Sequence, residues 1–345
     1  MKLYKYALVG LGLAVAITNF AKPATARYHQ INKFVIGGEG GWDYLTFDSE
    51  GKRLFITRGN RVSVMDEKGV VVAEIPSTPG VHGVALAQDL HKGFTSNGGE
   101  NTVTVFDLKS LKEIQRISVG KRPDAIIYDP HSKRIFTFNA GSQDATAVDA
   151  VTGKVVGTIT FNAKPEFAVA DGKGKIFVNL ENKSEIAAFD STTLKPRGEW
   201  SLDPGEEPSG LAIDRDAHRL FSVCANQNMI VMDSQHGRFV QALPIGKGPD
   251  AAAFDPKEHL VFSSNGQDGT LTVIREESFD EFTVMENIKT EPGARTMALD
   301  PNTHKIYLVT AQIAPPAPGT PAPKPGERRR PNFVPGSFMV LVFGN

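Results

Sequence analysis

The sequence predicts an all-β chain closed into one seven-bladed β-propeller, and three observations carry that prediction. The first is internal repetition: RPDAIIYDPHSKRIFTFN from Arg122, EPSGLAIDRDAHRLFSVC from Glu207 and GPDAAAFDPKEHLVFSSN from Gly248 are variants of one segment. The second is the period. An aromatic recurs at Phe55, Phe94, Phe136, Phe177, Phe221, Phe262 and Tyr307, at intervals of 39, 42, 41, 44, 41 and 45 residues. An aspartate follows about eleven residues after most of these, at Asp66, Asp107, Asp149, Asp190 and Asp233. Two independent anchors that keep one period define seven copies. The third is alternation. DAIIYD, RIFTFN, ATAVD and KVVGTIT place apolar residues at period two between turn residues, which is four short strands per copy, the pattern of a propeller blade. Apolar residues at helical spacing are absent, so helical repeats of similar length are rejected.

The elements follow in chain order. Lys2 and Lys5 precede an apolar run from Ala7 to Phe20, and Ala24-Thr25-Ala26 has the small-x-small form of a cleavage site. Residues 1–26 are therefore expected to be a signal peptide, with a periplasmic or secreted chain beginning at Arg27. That removes three lysines and leaves 35 Lys+Arg against 39 Asp+Glu, a net charge of −4. The residue after the cut is not Cys and no later stretch is long and apolar enough to span a bilayer, so no membrane anchor is expected. Residues 27–345 are read as a single domain. His29–Ile36 reads as a strand ahead of the first copy, while the last copy supplies strands near Thr296–Asp300, Lys305–Thr310 and Phe338–Phe343 and lacks a fourth. The N-terminal strand is expected to complete that blade and so to protect its edge. Between the second and third strands of the last blade, Ala311–Ser337 replaces a short turn with a Pro-rich insertion. Its Arg328-Arg329-Arg330 is expected to hang near the channel mouth, and Pro-rich sequence of this kind stays out of a sheet interior.

Composition excludes several classes. With 40% hydrophobic residues the 345-residue chain can bury a large core, so it is not a disordered chain. One Cys excludes a disulfide scaffold. With 38 Lys+Arg against 39 Asp+Glu, the balance argues against a protein held to nucleic acid by its phosphates. The chain contains no C-x-x-C-H, Walker, H-E-x-x-H or G-x-S-x-G motif. Nothing in the sequence sets an oligomeric state.

Segments such as RIFTFNAGSQDATAVDAVTGKVVGTI, from Arg134 to Ile159, resemble the YVTN-type repeat of bacterial exported propellers, the YncE-like proteins. The resemblance runs from about residue 30 to the end of the chain. It implies the propeller fold and, more distantly, similarity to quinoprotein dehydrogenase subunits, nitrous-oxide reductase propellers and propeller lactonases. Fold alone does not carry function across such a group.

Registering the copies places one residue of each innermost strand at the channel mouth, five positions before the acid of a Phe-Asp or Tyr-Asp pair where one exists. These residues are Asp43, His82, Asp124, Glu166, Ser209, Asp250 and Arg295. Four carboxylates brought together raise one another's pKa unless a cation intervenes. His82, between Asp43 and Asp124, and Arg295, between Asp250 and Asp43, supply the counter-charges, leaving a ring of roughly −3 with His82 neutral. Asp after Pro also caps backbone N–H groups, so Asp124 and Asp250 have a purely structural reading as well. A second row, three residues after each anchor aromatic, is Arg58, Asn97, Asn139, Cys224, Asn265 and Thr310. It is read as facing the same funnel, although Asn97-Gly98 and Asn265-Gly266 are also ordinary turn dipeptides. Cys224, the only thiol, has the two readings of a nucleophile and of an inert buried side chain. His91, His218, His259 and His304 share a turn position three residues before the anchor, separated around the opposite face.

Three functions remain open. One is a binding or interaction scaffold with a mainly acidic funnel for a small molecule or protein partner. Its acids Asp43, Asp124, Glu166 and Asp250 are candidates to hold a hard divalent cation such as Ca²⁺. Another is a lactonase-like hydrolase using His82, Glu166, Asp124 and Arg295. The last is an accessory subunit of a quinoprotein electron-transfer system.

Overall fold

A computed structural model describes residues 28–315 and 332–345 of the chain, and these form seven four-stranded antiparallel sheets. Blade one consists of Leu45–Asp48, Arg53–Thr57, Val62–Asp66 and Val71–Ile75. Blades two to six follow at 81–118, 123–160, 165–201, 208–244 and 249–289. In each, four consecutive strands pair in chain order, as the alternating pattern requires. No helix among the described residues is long and apolar enough to cross a membrane.

The repeated residues have physical reasons. The anchor aromatics are buried, and several pack on the next blade: Phe55 on Phe106, Phe136 on Phe189 and Phe221 on Phe282, with ring centroids 5.5–5.8 Å apart. The aspartate anchors cap the turn between strands three and four. Asp149 Oδ1, for example, accepts the backbone N–H groups of Thr152 at 2.7 Å and Val151 at 3.0 Å. The position three before the anchor is Lys52, His91, Lys133, Gly174, His218, His259 or His304, and in every blade its φ lies between 50° and 106°. The turn therefore requires a left-handed residue there, which explains the recurring histidines. His259 and His304 are also paired, to Glu276 at 3.1 Å and to Asp255 at 2.6 Å. A further device was not read from the sequence. The first residue of strand two reaches the next blade, where Arg53 donates to Leu108 O, Lys92 to Val151 O, Arg134 to Ser191 O and Arg219 to Phe279 O, all at 2.6–2.7 Å.

The ring closes as expected. His29–Val35 pairs antiparallel with Met339–Gly344, from His29 opposite Gly344 to Val35 opposite Met339 with a register shift between Gln30 and Asn32, and the last sheet runs outward from Met297–Asp300 through Lys305–Thr310. The insertion leaves this blade as a short ribbon. Ala314 N donates to Asn332 O at 2.8 Å and Val334 N to Gln312 O at 2.7 Å, and the Phe333 ring lies 4.7 Å from that of Trp42. The expected signal peptide and its cut, and Arg328-Arg329-Arg330, lie outside the described residues.

Candidate functional site: a charged funnel

The innermost strands of blades two to six begin with Val81 or a proline, and the register against strand two shifts just after it, for instance between Pro123 and Ile126. A bulge bends the strand and re-aims the side chains it contains. His82, Asp124, Glu166, Ser209 and Asp250 stand in these bulges and line one cavity of about 880 Å³ together with Asp43 and Arg295. All seven residues of the first predicted row therefore meet at the funnel. Their backbones are pinned from the neighbouring blades: Thr296 Oγ1 donates to Asp43 O at 2.8 Å, Ser96 Oγ to Asp124 O, Asn179 Nδ2 to Ser209 O at 2.9 Å and Ser264 Oγ to Arg295 O. Gly210 is required by this close approach, since a Cβ there would stand 2.6 Å from the Ala251 Cα.

The side chains sort into three groups. His82 Nδ1 lies 2.6 Å from Asp43 Oδ2 and 3.6 Å from Asp124 Oδ1. Arg295 pairs with Asp250 and reaches Asp43 Oδ1 at 3.3 Å. Lys164 pairs with Glu166 at 2.5 Å and with Glu181. Asp124 and Asp250 thus face ion-pair partners within the funnel. Of the four acids named as candidates for Ca²⁺, Asp250 and Glu166 each face a cationic side chain. Among the described residues, Asp43, His82 and Asp124 are the group whose ligand atoms all lie within 4.8 Å of one another.

Sequence reasoning missed Arg122, Lys164 and Glu181, which also line the cavity. Arg122 and Lys164 stand two residues before Asp124 and Glu166, where blades one, two, six and seven have Gly41, Gly80, Gly248 and Gly293. A basic side chain at a position that is glycine in four blades, and Glu207 in blade five, was the available signal for Arg122 and Lys164. With these residues the lining holds five carboxylates against three permanent cations, formally −2 with His82 neutral, so the earlier −3 is corrected.

Burial and mutual repulsion shape the titration. Burial raises the Glu166 carboxyl to about 8, Asp124 adding to the effect and Lys164 offsetting part of it. Burial likewise raises Asp124 to about 6 against the pull of His82, and raises Asp250 against that of Arg295. For His82, burial favours the neutral ring, but the Asp43 hydrogen bond and the charges of Asp124 and Asp43 outweigh it and raise its pKa. Beneath the acids sits Tyr44, whose hydroxyl is pushed well upward by burial and by Asp124, Glu166, Asp43 and Asp250. Its ring meets that of Phe167 and closes the funnel floor.

The second predicted row does not line the funnel, and its assignment as ligand-binding is corrected. Asn97, Asn139 and Asn265 are wholly buried within their blades. Asn139 Nδ2 donates to Thr146 Oγ1 at 3.0 Å and to Asp144 Oδ1 at 2.6 Å, while its Oδ1 accepts from Thr137 Oγ1 at 3.0 Å. Asn97 and Asn265 make matching bonds to Thr104 and Thr272, both at 2.9 Å. Arg58 is buried over the Phe338 ring and donates to Gly37 O and Glu39 O, fixing the path from the closing strand into blade one. Thr310 donates to Pro292 O at 2.8 Å. Cys224 is fully buried, and burial pushes its thiol up to about 12, which is the inert reading.

No family model matches the sequence, and no curated protein sequence matches it either. Solved structures do. The chain is similar to Kuenenia stuttgartiensis hydrazine synthase at 16% identity and a TM-score of 0.67, covering 78% of this chain and 92% of that one. It is also similar to a chain of the mitotic checkpoint complex at 13% identity and a TM-score of 0.72, covering 87% and 95%. Similarity to U3-55K is at 9% identity and a TM-score of 0.73, covering 93% and 99%. At such identities the likeness establishes the seven-bladed propeller and nothing finer.

Proposed function

We propose that this chain is an exported binding propeller of the YVTN-repeat type whose funnel takes up a small, positively charged ligand. The observation that carries the reading is the convergence of five carboxylates on one cavity of about 880 Å³ with an aromatic floor at Tyr44 and an aromatic wall at Trp42 and Phe333. Carboxylates supply acceptors for a cation and aromatic faces attract it, more strongly where water is excluded. The acids of the ring repel one another's ionisation, so a bound cation relieves a cost already present in the folded chain.

The hydrolase alternative asks His82 or a carboxylate to act as a base and Arg295 to face a developing oxyanion. His82 is instead held between two aspartates that favour its protonated form, and Arg295 is committed to Asp250 and Asp43. Both features favour binding over hydrolysis. Calorimetric titration of the full chain with spermidine, and with citrate as an anion of comparable size, tests the proposal. Binding of spermidine, weakened by salt, is the expected result; binding of citrate alone would reverse the charge assignment.

A further inference from the structure

The proposed funnel ligand is a cation of unstated kind, and one corner of the funnel narrows the choice. Asp43, His82 and Asp124 come from blades one, two and three, and offer two carboxylate oxygens and an imidazole nitrogen all within 4.8 Å of one another. Two carboxylates and one imidazole differ in kind from the all-oxygen shell of six to eight ligands that Ca²⁺ takes. Imidazole nitrogen instead suits the borderline dications of the later transition series. Resting on the cation-binding reading, we infer that Asp43, His82 and Asp124 form a binding site for a transition-metal dication of the Zn²⁺ or Co²⁺ type, its remaining positions open to the funnel.

Three further features support the site. Its donors are held from behind: Arg295 Nη2 engages the other oxygen of Asp43 at 3.3 Å, Thr296 Oγ1 holds Asp43 O at 2.8 Å and Ser96 Oγ holds Asp124 O. Such supporting bonds orient metal ligands and limit their motion. Of the cations that line the funnel, Lys164 is engaged by Glu166 and Glu181, and Arg295 bridges Asp250 and the Asp43 oxygen turned away from His82. Finally, Tyr44, next in the chain to the Asp43 ligand, lines the same cavity. The charge balances: two carboxylates neutralise one dication, and the imidazole binds as a neutral donor. In the free protein the His82–Asp43 pair, 2.6 Å apart, closes the space; ligation at metal–donor distances of about 2.0–2.2 Å needs only a small opening of that pair.

The test uses the full chain stripped with EDTA. Co²⁺ is titrated while its visible d–d absorption is followed, Zn²⁺ and Ca²⁺ are then tried as displacers, and spermidine binding is measured in parallel. One Co²⁺ per chain, displaced by Zn²⁺ and not by Ca²⁺, is expected, with about 100-fold weaker binding in His82→Ala and in Asp124→Asn and none lost in His236→Ala, an exposed histidine paired with Asp233 away from the cavity. Should either variant fail to fold, a paramagnetically shifted imidazole N–H resonance in the Co²⁺-loaded wild type carries the test, and its absence at saturation overturns the inference. So does unchanged Co²⁺ affinity in a folded His82→Ala chain, or displacement by Ca²⁺. Binding of spermidine without Co²⁺ ends the metal assignment and leaves the cation-binding reading standing; failure of both ends both.

Discussion

The ring of Tyr44, from blade one, meets the ring of Phe167, from blade four, edge to face, with centroids 5.2 Å apart. Blades one and four are not neighbours in a seven-membered ring, so this contact spans the central channel. It turns a through-hole into a funnel with a floor. It also places a phenol near four acids in a partly buried site, where charge interactions are stronger than in water.

The contact makes a measurable coupling. In a double-mutant cycle with Tyr44→Ala and Phe167→Ala, the two changes should be non-additive by about 0.5–1.5 kcal/mol, the range for an aromatic pair. Tyr44→Phe should keep the floor and lose about 1 kcal/mol or less. Chemical denaturation of the four chains supplies the numbers, and strict additivity would mean that the rings do not support each other.

Closure of the last blade should be the most costly feature to remove. Deleting residues 28–36 strips the ladder partners of Met339–Gly344 and uncovers its edge. A loss on the order of 5 kcal/mol is expected, comparable to the whole stability margin of many domains. A truncated chain with an unchanged melting temperature would show that the ring holds without its closing strand.

The pH dependence has a definite sign. An acid whose folded pKa lies above its unfolded value keeps its proton in the native state while the unfolded chain gives it up, so stability falls as pH rises between the two values. For Glu166 that window runs from 4.5 to about 8. Glu166→Gln removes the titration, so the unfolding free energy of the variant relative to wild type should climb from pH 5 to pH 8, by at most about 1.4 kcal/mol for each pH unit. A difference that stays flat, or falls, would place the carboxylate in a solvated or fully paired setting.

Buried polar groups of the second row should read as structural. Asn139→Ala leaves Thr137, Thr146 and Asp144 without their shared partner. It should cost about 1–3 kcal/mol without altering ligand binding at the funnel. Cys224, in turn, should resist a thiol reagent in the folded chain and react fully once it is unfolded; rapid labelling of native protein would contradict its burial.

The ring and its closure were legible in the sequence because every blade restates them. The anchor aromatic and the left-handed turn residue are each fixed by a local demand repeated in all seven blades, and the capping aspartate by one repeated in five. The funnel row was legible for the same reason, since register against Phe-Asp or Tyr-Asp pairs carries a side chain to the channel mouth. The Asn row misled because polarity was taken as exposure. Residues at the end of strand two turn into the blade, where threonines of the adjoining strand satisfy them. Arg122, Lys164 and Glu181 were hidden by the opposite cause: they depart from the glycine-rich consensus of the repeat, and a consensus suppresses what a minority of blades do. The places of Arg295 and His82 around the ring already made them counter-charges to their neighbouring acids, whereas the pairing of Lys164 with Glu166 and Glu181 depends on residues outside the registered row, which periodicity does not encode.

The central claim, a funnel electrostatically prepared for a cation, is tested most directly by counting protons. A cation bound beside Glu166 stabilises its charged form and pulls its pKa down from about 8, so binding near pH 7 should expel a proton. Calorimetric titration of the full chain with spermidine in two buffers of different ionisation enthalpy measures that number. The account predicts net proton release, up to about one per ligand, and its loss in Glu166→Gln. Proton uptake on binding, or no binding at all, would contradict it.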